Sequence, residues 1–355
     1  MKSADKNSDI SHITQLIIGE NITALEAALK DGWNINKPIT VYKYRDELPI
    51  VYALENKKLT VAKWLISKKA KLNDKKQPTI VFAVLCGKQM IQLLLDNGAD
   101  INAHDRLTRN VITIALYWKK YDLISYFVQL GFNPKKDSRS IRQAVFSRQF
   151  KALQLLIELG FDVNFKQPDQ VHLSNESAVQ IAARNINDFK TVKYLVEHGA
   201  DITQKDNYGD RPFTEALLRN DAPLMAYLKA LEPIEWHDEV LHLASLSAYN
   251  IPASLLAICQ SKKRKINITK TTEYGVRYIV LQSVLLLKVA HFRKKEFVEF
   301  VSEIDNYDNF LVWYPAKNCL AYMDYEHDEF KVLGKWEDFL SDPAAFFEKY
   351  LSGYF

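Results

Sequence analysis

Glycine and proline are scarce in this chain, 11 of each among 355 residues, which excludes collagen-like, linker-dominated and low-complexity classes. Cysteine is scarcer still. Cys86, Cys259 and Cys319 are too few and too widely spaced for a disulfide framework or a zinc cluster, so three reduced core thiols are expected. No apolar run approaches the roughly 20 residues of a bilayer span; Ser283–Leu287, for example, is closed off by Gln282 and Lys288. The opening MKSADKNSDI has no apolar segment of the roughly 7–15 residues a secretory signal requires. No membrane partner and a cytoplasmic location are therefore expected.

What is present describes a chain with a buried core: 48% hydrophobic, 12% aromatic and 25% charged residues. The net charge of +4 is unevenly spread, with +7 in residues 1–232 and −3 in residues 233–355. That asymmetry predicts two units with different surfaces. Neither part has the dense basic stripe of a nucleic-acid binder, so no nucleic-acid partner is expected.

An internal repeat runs through the first two thirds. Lys30-Asp31-Gly32-Trp33-Asn34-Ile35-Asn36, Asp96-Asn97-Gly98-Ala99-Asp100-Ile101-Asn102, Glu158-Leu159-Gly160-Phe161-Asp162-Val163-Asn164 and Glu197-His198-Gly199-Ala200-Asp201-Ile202-Thr203 are copies of one another. Gln129-Leu130-Gly131-Phe132-Asn133 is a shorter copy, and Ser67–Asn73 is another with Lys69 in the glycine position. The copies fall at 32, 69, 98, 131, 160 and 199, a mean spacing close to a period of about 33 residues. Each follows an apolar run with helical spacing, such as Val61–Ile66 or Thr191–Val196. The glycine suits the left-handed residue that ends a helix, and the Asp/Asn and β-branched residues after it turn the chain into a short hairpin.

Asp206-Asn207-Tyr208-Gly209-Asp210-Arg211-Pro212 and Ile181-Ala182-Ala183-Arg184-Asn185 complete a pattern that resembles the ankyrin repeat family over about residues 10–232. Arg211 stands where that family has Thr. The family's histidine is absent from Leu48–Val51, Gln77–Ile80 and Arg211–Thr214, which predicts a less regular stack. The resemblance implies a solenoid of six to seven degenerate repeats with a concave binding face. It places the exposed pair after each inner helix on that face: Glu55-Asn56, Tyr117-Trp118, Phe146-Ser147, Arg184-Asn185 and Leu218-Arg219. Tyr117 and Trp118 are either interface anchors or packing between irregular repeats. The tips His104-Asp105-Arg106, Lys135-Lys136-Asp137 and Lys205-Asp206-Asn207 read as solvated turn residues, and Lys166–Ser177 reads as an inserted polar loop.

The rhythm stops at Pro233. Helices are expected over 235–248 and 251–258, then strands over 276–281, 310–314, 319–325 and 330–333, with a hairpin turn at His327-Asp328-Glu329. An amphipathic helix over 336–351 closes the chain, with Trp336, Phe339, Leu340, Phe346 and Phe347 facing inward. This is a small α+β domain with an antiparallel sheet, making the whole chain mainly α, divided as 1–232 and 233–355. Ile251-Pro252-x-x-Leu255, Ala321–Glu326 and Trp336-Glu337-Asp338-Phe339-Leu340 resemble the SUKH superfamily, whose bacterial members are mostly immunity proteins.

Residues 296–355 carry 13 acidic and 4 basic side chains, a surface able to steer a basic partner. Asp324, Glu326 and Asp328 are the candidate lure. Three carboxylates on an exposed hairpin do not make a metal site without further ligands, and His237 and His242 are five apart, so a helix does not align them. No nucleophile elbow, phosphate-cradling loop or dinucleotide fingerprint occurs, so neither catalysis nor a cofactor nor a metal is expected. The two resemblances together imply a non-enzymatic bacterial immunity protein that binds and neutralises a toxin. The alternative is a secreted effector that grips a host protein, with an unrecognised activity in the last third. The partner-binding residues are Glu55, Asn56, Tyr117, Trp118, Phe146, Arg184, Asn185 and Arg219 with Asp324, Glu326 and Asp328.

Overall fold

The computed structural model describes residues 11–43, 45–137, 139–167, 174–185, 188–268, 275–307, 311–324 and 327–351. Contacts divide the chain into two compact units, residues 1–181 with 193–200 and residues 182–192 with 201–355.

Helix pairs account for the repeats. Among the described residues the inner helices are His12–Ile18, Pro49–Glu55, Thr79–Phe82, Val111–Tyr117, Ser140–Phe146, Ala178–Arg184 and Pro212–Leu218, each followed by a longer outer helix such as Leu59–Ser67 or Tyr121–Gln129. The outer helices bury residues at helical spacing: Val61, Ala62, Leu65 and Ile66 in one, Leu123, Ile124 and Phe127 in another. In the first unit successive inner helices pack side by side, from His12–Ile18 through Ser140–Phe146. Gly98 takes φ +89° at its helix end as expected, and Lys69 takes φ +63° in the same role.

Hydrogen bonds from asparagines in the hairpin turns tie repeat to repeat. Asn73 Nδ2 donates to Gly98 O at 2.8 Å while its Oδ1 accepts from Asp100 N at 2.9 Å. Asn102 repeats this with Gly131 O and Asn133 N, and Asn36 accepts from Lys71 N.

The tips differ from the solvated turns expected. Asp105, Asp137 and Asp206 are buried. Each is an acceptor for backbone N–H groups: Asp105 takes Leu107 N and Arg109 N, Asp137 takes Arg139 N and Ser140 N, and Asp206 takes Tyr208 N and Asp210 N. A carboxylate that satisfies several turn donors costs less buried than the donors would cost unpaired. Ladder pairing at a tip occurs, among the described residues, between Ile39–Tyr42 and Arg45–Glu47. Elsewhere the hairpin shape is held by Asx turns such as Asn102 N to Asp100 Oδ1.

In the second unit the last helix pair, Pro212–Leu218 and Ala222–Lys229, is followed by helices Glu239–Ser245 and Ala253–Gln260 and by two antiparallel sheets. One has three strands in the order Lys265–Asn267, Tyr278–Leu281, Val301–Ile304. The other has five, in the order Glu329–Val332, Cys319–Asp324, Leu311–Tyr314, Lys295–Glu299, Lys288–Phe292. Alternation assigns Val298, Leu311, Trp313 and Leu320 to the main core with Leu255, Trp336 and Phe347. Phe297, Val312, Ala321 and Met323 form a second cluster on the opposite face. The closing helix is broken at Asp342 into Trp336–Ser341 and Pro343–Leu351, because Pro343 cannot continue the hydrogen-bond ladder. Trp336, Phe339, Phe346 and Phe347 are buried as expected, whereas Leu340 is exposed. Expected strand residues Phe310 and Tyr325 lie outside the described residues.

Candidate functional site

A groove of about 780 Å³ opens on the inner helices of the first unit, within the range of roughly 300–1,000 Å³ typical of ligand sites. Its floor is apolar: Leu54, Val81, Phe82, Leu85 and Ile114, with Tyr117, Trp118 and Phe146 at one side. Glu55, Lys57, Arg109, Thr113, Arg139, Gln143 and Ser147 supply the polar lining.

Local structure explains why the aromatics stand out. Asn110 caps helix Val111–Tyr117, accepting from Ile112 N and Thr113 N while its own N–H donates to Thr113 Oγ1. The helix buries Val111, Ile112, Ala115 and Leu116 completely. Its remaining face and its end therefore present Ile114, Tyr117 and Trp118. Tyr117 is 69% exposed, Trp118 53% and Phe146 62%. Exposure of this degree separates them from the packing residues they resemble in sequence.

The charged groups of the rim are sorted by their partners. Glu55 Oε2 accepts from Arg45 Nη2 at 2.7 Å, and the same guanidinium contacts Glu47. Burial, with the Glu55 charge second, pushes the Glu47 carboxyl up to about 7. Arg109 is paired with Asp105 through Nε at 2.7 Å and Nη2 at 2.6 Å. Arg139 donates to Leu107 O and Thr108 Oγ1.

Of the sequence-derived candidates, Glu55, Tyr117, Trp118 and Phe146 line this one groove. Asn56 caps its helix, with Nδ2 on Tyr52 O at 2.8 Å. Arg184, Asn185 and Arg219 belong to the second unit. There Arg184 is ion-paired with the buried Glu215 at 2.6 Å, Asn185 is half-buried, and Arg219 is exposed at its helix end. Asp324 accepts from Tyr322 Oη at 3.1 Å and lies 2.8 Å from His327 Nδ1. Asp328 is held by Arg293 Nε and Nη2 at 2.9 and 2.7 Å, which keeps its carboxyl below the usual range. Glu326 lies outside the described residues. Phe82, Leu85, Arg109, Arg139 and Gln143 were not among the candidates, although each occupies an inner helix or a turn next to one.

No group of three or more metal-ligating side chains is found among the described residues. His242 Nε2 instead meets Leu287 O at 2.9 Å, and His237 is buried beside Glu232. No helix among the described residues is long and apolar enough to cross a membrane.

Family models for ankyrin repeats, one of three copies and one of many copies, match residues 50–140 and 181–228. An ankyrin repeat protein of Acanthamoeba polyphaga mimivirus is 25% identical over 60% of this chain, which spans 28% of that relative's length. An ankyrin repeat protein of Borreliella burgdorferi is 24% identical over 39% of this chain and 69% of its own length. The human ASB11 ankyrin repeat domain aligns with 57% of this chain and 90% of its own, at 17% identity and a TM-score of 0.42. The matched helix pairs are thus ankyrin repeats, and antiparallel sheets follow them along the chain.

Proposed function

We propose that the groove of the first unit is the partner site and that its occupant is a protein. The observation that carries this reading is the meeting of three exposed large aromatics with an apolar floor. Burying such a surface is favourable by roughly 25 cal/mol per Å², and aromatics in a pocket are the usual energetic centre of an interface. Nothing in the groove requires a reacting group: its carboxylate is paired with Arg45 and its lining holds no thiol or imidazole.

At a finer level, we propose that residues 233–355 form a separate α+β module and that the bound protein is a toxin, as in bacterial immunity. Helices followed by antiparallel strands and a closing helical segment support this, because that order is the one the SUKH resemblance implies.

The test is affinity capture from native lysate with the full chain as bait, alongside Tyr117→Ala/Trp118→Ala. A stoichiometric protein retained by the wild type and lost by the double variant supports the groove. Equal retention by both removes it. A captured protein whose toxicity is unaffected by co-expression of this chain removes the immunity reading alone.

A further inference from the structure

The residue two past five of the inner helices is left-handed: Glu20 at φ +50°, Lys57 at +55°, Lys119 at +55°, Arg148 at +53° and Asn220 at +54°. Each closes the same turn, with its N–H on the carbonyl three residues back: Lys57 to Leu54, Lys119 to Leu116, Arg148 to Val145. Gly87, at φ +89°, precedes the outer helix in the repeat between. Glycine and asparagine adopt this conformation at lower cost than lysine or arginine. Three repeats of the first unit nevertheless place a cation there.

These cations are not spent on internal pairing. Lys57, Lys119 and Arg148 are exposed and have no carboxylate within ion-pair distance among the described residues. Lys57 lines the groove itself, and the residues immediately before Lys119 and Arg148, Trp118 and Ser147, line it too. Arg139, in the lining, spends its guanidinium on a carbonyl and a hydroxyl and so keeps its full charge. The one carboxylate of the lining, Glu55, is neutralised by Arg45. Lys57 in the lining, with Lys119 and Arg148 each next to a lining residue, therefore gives this apolar groove positive charges without ion-pair partners among the described residues.

Resting on the reading of this groove as a protein site, we propose that its occupant is an acidic polypeptide segment, with large apolar side chains for the floor and carboxylates for Lys57, Lys119 and Arg148. Charge complementarity along a rim directs orientation and encounter rate, while the apolar anchors supply affinity. Nucleic acid fits less well. Its phosphates would meet the cations but leave Leu54, Val81, Leu85 and Ile114 uncovered.

The experiment pans a random dodecapeptide display library against the full chain and three variants, and titrates each with a fluorescent single-stranded oligonucleotide. The first variant, Lys57→Asn/Lys119→Asn/Arg148→Asn, removes the charge while suiting the backbone, so its thermal midpoint should equal or exceed that of the wild type. The second reverses the charge with glutamate. The third is Tyr117→Ala/Trp118→Ala. The wild type should enrich peptides combining two or three large apolar residues with net negative charge. The asparagine variant should bind them about tenfold more weakly, the scale of several exposed ion pairs, and the glutamate variant should prefer basic flanks. Aromatic-dependent enrichment without a charge preference overturns this inference and leaves the groove standing. Enrichment indifferent to Tyr117 and Trp118, or none at all, overturns the groove itself. Salt-sensitive binding of the oligonucleotide in place of peptide overturns the inference in favour of nucleic acid.

Discussion

The rings of Tyr117 and Trp118 meet edge to face, 5.3 Å between centroids and 86° between planes. Each fixes the other's orientation while leaving most of its surface in water. An aromatic pair held in this way loses little further side-chain freedom on binding.

Alanine at both positions should therefore leave folding nearly unchanged, because neither ring belongs to the buried core. Binding of a captured partner should weaken by about 2 kcal/mol or more. Thermal melts and titration calorimetry on the same protein separate the two effects.

Asn73 gives the opposite pattern. It bridges repeats through both ends of its amide, to Gly98 O and Asp100 N, and lies outside the groove lining. Asn73→Ala should cost about 1 kcal/mol in urea denaturation, since water replaces part of what two exposed hydrogen bonds supply. Partner affinity should be unchanged. Asn73→Asp, which keeps the acceptor and loses the donor, should fall between the two.

The sequence made the repeat register legible because the glycine or its substitute ends every outer helix but the last, Ala222–Lys229, and that register placed Glu55, Tyr117 and Phe146 in one groove. It did not disclose Phe82 and Leu85. The inner helix of Phe82, Thr79–Phe82, is a single turn, too short to show a helical period, and Leu85 lies in the turn after it. The buried aspartates of the tips were obscured for another reason: a carboxylate that caps backbone donors is spelled like a solvated one. The hairpin Lys288–Phe292 with Lys295–Glu299 was missed altogether. Its turn is Arg293-Lys294, at φ +47° and +60°, where asparagine and glycine are the residues that announce such a turn.

The thiols should be inert in the folded protein. Burial pushes Cys86 up to about 11 and Cys259 up to about 12, and raises Cys319 as well. Since the thiolate is the reactive form, labelling at pH 8 should be slow in buffer and rapid in denaturant. Fast native labelling of Cys259 would show that its core opens readily.

Glu232 occupies the end of the last repeat, where Arg211 Nε donates to its Oε1 at 2.9 Å and His237 Nε2 lies 3.1 Å from its Oε2. All three residues are buried. Burial raises the Glu232 carboxyl in spite of Arg211, and burial followed by Arg211 lowers His237. Glu232→Gln should destabilise the protein by about 3 kcal/mol, because the Arg211 charge is left without its counter-ion. The double change Arg211→Met/Glu232→Leu should recover most of that loss, and chemical denaturation of the three variants decides it.

Glu47 provides a pH dependence whose sign is fixed by its surroundings. It is 4% exposed, one of its oxygens has no hydrogen-bond partner, and its cation, Arg45, is shared with Glu55. Its carboxyl lies at about 7 in the fold against a usual 4.5. Between those values the folded chain holds a proton that the unfolded chain has released, so stability is greatest below 4.5 and declines as pH rises through 7. At roughly 1.4 kcal/mol per unit the full effect is at most about 3.5 kcal/mol. Glu47→Gln mimics the protonated form, so it should stabilise the protein at pH 8 and leave it unchanged near pH 4. Melting temperatures of both proteins across that range should converge on the acid side; curves that stay parallel would show that Glu47 ionises normally in the fold.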